Sequence, residues 1–102
     1  MKDYKEAEEV RALLFELLEI LEIQNERNWS RGIKAVTQEL DDLEGRSTTS
    51  GFENARSIYN TMTAGGRGFA EYFIWSDNED ERIQVNKRLD DLRTKIWKVF
   101  NP

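Results

Sequence analysis

Apolar residues recur at alternating steps of four and three along most of this chain, and no other feature narrows its fold as much. Val10, Leu14, Leu17 and Leu21 mark one stripe, and Trp29, Ile33, Val36, Leu40 and Leu43 a second. Phe52, Ala55, Tyr59 and Met62 mark a third; Val85, Leu89, Leu92, Ile96 and Val99 mark the last. Such spacing places each set on one face of an α-helix. Proline occurs only as Pro102, so none interrupts a stripe. The pattern predicts an all-α protein, one domain over 1–102, built as a small bundle of four to five helices with a glycine-rich, aromatic connector.

The first helix is expected over about Asp3 to Gln24, capped by Asp3 and widened by Leu13, Ile20 and Ile23. A polar break follows at Asn25 to Asn28, with Asn28 as the N-cap of the second helix and Ser30 as its competitor. Gly32 leaves room for a close neighbour, and Gly45 is the expected stop. The third helix takes its cap from Thr49 or Ser50. After it, Gly65-Gly66-Arg67-Gly68 reads as a tight, positive-φ connection that turns Phe69 into the core. Phe69 to Trp75 is expected to be a short helix, because a lone strand would have no partner. Ser76 and Glu79 have the spacing of a capping box for the last helix, which runs to about Phe100 and is extended by Ile83, Trp97 and Phe100.

Composition excludes whole classes of chemistry. The chain has no Cys and no His, which removes disulfides, thiolate and imidazole metal sites, cysteine nucleophiles and Ser-His-Asp catalysis. Only carboxylate chemistry, alone or through a divalent metal, would remain for an enzyme. The expectation is therefore a non-enzyme with no cofactor and no metal. The apolar start around Leu13 to Leu18 is broken by Glu16, so neither a signal peptide nor a membrane span is expected, and the cytoplasm is the default location. With 15 Lys+Arg against 20 Asp+Glu, the net charge of −5 disfavours nucleic acid and anionic lipid and favours a basic protein as partner.

Two groups of acids could meet such a partner. Glu39, Asp41, Asp42 and Glu44 crowd the C-terminal end of the second helix, where carboxylates oppose the helix dipole. A solvated face explains them equally well. Asp77, Glu79, Asp80 and Glu81 sit where the dipole favours acids, so capping chemistry and a partner-facing edge are both open readings. The spacing of a calcium loop is incomplete there. Arg67, at the crest of the glycine turn, and Trp75, beside the second acid group, are the candidate contacts of other types. Trp29, Trp75 and Trp97, with Phe69, Tyr72 and Phe73, are expected to fill the core, Trp75 being the one that could instead stand exposed beside the acids. Asp90 and Asp91 are expected to pair with Lys87, Arg88, Arg93 and Lys95 on an exposed helix face.

The leucine-rich first helix, Trp29, the turn Gly66-Arg67-Gly68-Phe69 and the closing Asn86-x-x-Leu89-x-x-Leu92-x-x-x-Ile96-Trp97 together resemble a family of small bacterial all-helical proteins. That family carries a glycine-x-glycine-serine-phenylalanine turn followed by Asn and Asp. This chain lacks the serine and has Ala70-Glu71 in place of the polar pair. Such proteins look like the immunity proteins of bacterial toxins, including contact-dependent growth inhibition systems. The resemblance implies a protein that neutralises a cognate toxin. With the acidic balance, the expectation is a monomer, or a 1:1 complex, that occludes the active site of a basic toxin, a nuclease of the RNase kind. The alternative is a helical structural or regulatory module that self-associates.

Overall fold

The computed structural model describes residues 4–41, 49–64 and 68–102. Among them, helices α1 (Tyr4–Ile23), α2 (Arg27–Asp41), α3 (Thr49–Thr63) and α4 (Glu79–Phe100) carry the four stripes, and no strand forms. The protein is all-α. Helix α1 lies between α2 and α4, and α3 packs on α2 and on a single 3-10 turn, Phe69–Glu71. Val10, Leu14, Leu17 and Leu21 of α1, Ile33 and Val36 of α2 and Leu89 and Ile96 of α4 are fully buried. An aromatic cluster closes one side, with the Phe100 ring 5.2 Å from Phe52 and 5.7 Å from Tyr59. Each such ring removed from water stabilises the fold by about 1.5–3 kcal/mol.

The α1–α2 hairpin is set by a left-handed residue. Asn25 has φ 57, and the N–H groups of Asn25 and Glu26 donate to the carbonyls of Glu22 (3.0 Å) and Leu21 (2.9 Å). This is a Schellman ending with Asn where Gly is commoner. The Glu26 carboxylate then accepts from the N–H groups of Asn28 (2.7 Å) and Trp29 (3.2 Å). It therefore takes the capping role expected of Asn28, and Ser30 lies inside the helix, donating to the Arg27 carbonyl.

The cap of α4 also differs from expectation by two positions. Asn78, not Ser76, accepts from the Glu81 N–H at 3.0 Å, while the Ser76 hydroxyl accepts from the Asn78 N–H at 3.2 Å. Ile23, Ile83 and Trp97, expected to widen buried stripes, are exposed, and Phe100 is buried as expected. Gly32 sits against Met62, whose Cε would lie 3.0 Å from an added Cβ. Gly68 has φ −79, so no positive φ is required there. Its lack of a side chain matters because an added Cβ would meet the Ala64 carbonyl at 2.4 Å. The expected cap Asp3, the stop Gly45, Leu43, and the glycines Gly65 and Gly66 lie outside the described residues, as do the cap side chains of Thr49 and Ser50.

Phe69 to Trp75 is not a short helix. After the 3-10 turn the chain leaves helical geometry at Tyr72 (φ −62, ψ 135) and remains non-helical to Ser76. Burial alternates along it: Phe73 exposed, Ile74 buried, Trp75 exposed.

Candidate protein-binding site

The 69–76 connector is held by polar side chains of one helix. Asn86 of α4 accepts from the Ile74 N–H (2.8 Å) and donates to the Ile74 carbonyl (2.8 Å) and to the Arg82 carbonyl (2.8 Å). One amide thus does for Ile74 what a neighbouring strand would do. Two turns further on, Arg93 Nη1 donates to the carbonyls of Phe69 (2.6 Å) and Tyr72 (2.9 Å), and Nη2 pairs with Asp90. Its guanidinium lies 5.4 Å from the centre of the Phe69 ring. Arg93 pairs with Asp90 as expected, but only 10% of its side chain is exposed, so the solvated position expected for it is incorrect. Its charge thus meets the carbonyl of the first residue of the 3-10 turn and that of Tyr72, just past its end.

Below this clasp the core is aromatic. Phe69 is fully buried and its ring stacks 6.2 Å from Tyr72 and lies 5.4 Å from Trp29. The Tyr59 hydroxyl donates to the Arg93 carbonyl at 3.3 Å. Burial raises the phenol pKa of Tyr59, against a smaller lowering by Arg93. Tyr72 is also shifted up, by burial first and by the Glu26 carboxylate second, with Arg93 opposing.

Above the clasp, Phe73 and Trp75 face solvent, 57% and 68% exposed. The core role expected of Phe73, Trp75 and Trp97 is therefore incorrect, and Trp75 stands exposed as its alternative reading had it, while Trp29 and Tyr72 pack against the core as expected. Arg82 lies over the Trp75 ring at 4.8 Å and donates to the Ser76 carbonyl at 3.1 Å, which fixes the ring and engages the nearest cation. Asp77, Glu79, Asp80 and Glu81 follow directly, all exposed, with the Glu81 carboxylate 3.5 Å from the Ser76 hydroxyl. Trp75, Glu81 and Val85 line a groove of about 490 Å³ together with Gln24, just past the end of α1, and Arg88, which pairs with Glu16 at 3.5 Å.

Comparison with family models, with curated proteins and with solved structures finds no match to this chain.

The other acid group is placed elsewhere. Glu39 is half-buried and accepts from the Asn54 side chain of α3 at 3.1 Å. Asp41 is the last residue of α2, and its side chain, Asp42, Glu44 and Arg67 lie outside the described residues. Gln24, at the α1–α2 hairpin, borders the groove with Trp75 and Glu81, whereas Glu39 lies twelve residues beyond the start of α2 at Arg27, or about 18 Å along the helix axis, so it does not join the face formed by Trp75 and residues 77–81. A second hollow of about 520 Å³ lies at the far end of α1 and α4, where Glu6 and Glu9 share the walls with Lys95 and Lys98. Charges of both signs line it. Among the described residues no group of three or more acids is placed to hold a metal ion, and no helix is long and apolar enough to cross a membrane.

Asn86, Arg82 and Arg93 were not singled out from the sequence as site residues. Their signal is a spacing of four and then seven along α4, which puts three long polar side chains on one flank of the apolar stripe. Phe73 carried no such signal: Tyr72-Phe73-Ile74-Trp75 is an unbroken apolar run, and its alternation of burial appears only in the structure.

Proposed function

We propose that this chain is an immunity protein, a non-catalytic binding module that neutralises a cognate bacterial toxin in the cytoplasm by covering its active site. The observation that carries this reading is a pair of exposed aromatics, Phe73 and Trp75, on either side of the clasped Ile74 and bordered by four exposed carboxylates at Asp77, Glu79, Asp80 and Glu81. Aromatic anchors supply most of the affinity at protein interfaces. Clustered carboxylates speed the approach to a basic surface and select for it. A toxin that cleaves RNA needs a basic groove for its substrate, and an acidic protein competes for that groove. The reading needs no cofactor and no metal.

Growth rescue tests it. The C-terminal domain of the protein encoded directly upstream of this chain's gene is expressed with and without the chain, and toxicity of that domain alone is the first expected result. Rescue with a 1:1 complex supports the reading; absence of both rescue and complex overturns it. A second reading, a self-associating helical module, draws on the exposed Ile83 and Trp97 of α4. It requires a mass above monomer in sedimentation with no dependence on a partner.

A further inference from the structure

We infer that residues 72–76 form an open edge to which an extended, basic segment of the partner adds as a β-strand. The N–H and the carbonyl of Ile74 both meet the one amide of Asn86, so they point the same way, as they do in extended chain. In extended chain the main-chain groups of the two flanking residues point the opposite way. Among the described residues no hydrogen bond reaches the N–H or carbonyl of Phe73 or Trp75. Their side chains are exposed as well. Proteins ordinarily cover or blunt such an edge. Strand addition uses it: main-chain hydrogen bonds hold the incoming segment, and alternate side chains read it.

Charge selects the occupant. Exposed Glu71 precedes the segment, and exposed Asp77, Glu79, Asp80 and Glu81 follow it. A segment bearing Lys or Arg meets opposite charge at both ends. A second copy of this chain does not: antiparallel pairing about Ile74 would set Phe73 against Trp75 but also Glu71 against Asp77, twice, between molecules of net charge −5 each. Like charges directly across a ladder are destabilising. The inference rests on the protein-binding reading for its partner and adds the manner of engagement.

The test uses the whole, isotopically labelled chain and a peptide of about eight alternating Arg and Thr residues, at about 20 mM salt so that charge is weakly screened. A control peptide has the same sequence with every amide N-methylated, which keeps the charge and removes the donors. The expected result is movement of the Phe73 and Trp75 amide resonances and slowing of their hydrogen exchange by about tenfold, with binding of the methylated peptide weaker by about tenfold or more. Equal binding of the two peptides, undisturbed amides at Phe73 and Trp75, or no binding overturns the inference. Protection of those amides that grows with protein concentration, without peptide and with a dimeric mass, overturns the choice of occupant. No toxin domain enters this assay, so it can fail while growth rescue succeeds, and the reverse.

Discussion

Replacing Asn86 with Ala strips the partners from both main-chain groups of Ile74, a residue only 3% exposed. The expected loss is about 2 kcal/mol in a urea titration, from buried polar groups left unmade. Asn86→Asp keeps the acceptor but not the donor, and should fall between. Tyr59 makes stability depend on alkaline pH. Its pKa is raised in the folded state, so the native protein holds the proton where the unfolded chain has released it. The associated stability is full below pH of about 10, the ordinary phenol value, and is lost as pH rises toward the folded value. Tyr59→Phe should flatten that decline while costing about 1 kcal/mol near neutrality, through the lost bond to the Arg93 carbonyl. The two glycines make opposite demands. Gly68→Ala drives a Cβ onto the Ala64 carbonyl and should destabilise by about 1–3 kcal/mol. Gly32→Ala meets only the flexible end of Met62, and better helix propensity, about 1 kcal/mol, offsets the crowding. Paired thermal melts of the two variants check the contrast.

Among elements, the four helices were legible because each buries one face, and burying one face of a helix imposes a period that nothing else in a sequence imitates. Their starts were less so. Glu26, Asn28 and Ser30, like Ser76 and Asn78, all carry an oxygen able to cap, and only the path of the chain decides which one reaches the free N–H groups. The connector misled for a physical reason. An isolated extended segment is disfavoured when its partners must be main chain, and here a side-chain amide and a guanidinium stand in for them. That long-range match between Ile74 and Asn86 leaves no local trace. Of the candidate site, the adjacency of Trp75 to Asp77 and Glu79 could be read directly, whereas the outward turn of Phe73 followed only once Ile74 was known to point in. Removing the guanidinium with Arg93→Ala should release the 3-10 turn, cost about 2 kcal/mol, and raise hydrogen exchange across 69–76 more than across α1.

For the whole molecule, an elongated body of 46 × 24 × 24 Å keeps Glu39 and the acids at 77–81 apart. The stretch of α2 between Glu39 and the hairpin beside Glu81, about 18 Å of helix axis, exceeds the Debye length of about 8–10 Å at ordinary salt, so each acts on a partner by itself. Changing Asp77, Glu79, Asp80 and Glu81 together to Lys should slow association with a basic partner by about tenfold at low salt, and Glu39→Lys by far less. Raising the salt should erase the difference in a stopped-flow experiment. Asn86 and Arg93 hold no side chain at 73 or 75; Asn86 grips only the backbone of the residue between them, and of Arg82, Asn86 and Arg93 only Arg82 meets the Trp75 ring. Those two positions can accordingly be rewritten over generations, one recognition code exchanged for another, while the mounting hardware at Asn86 and Arg93 stays as it is.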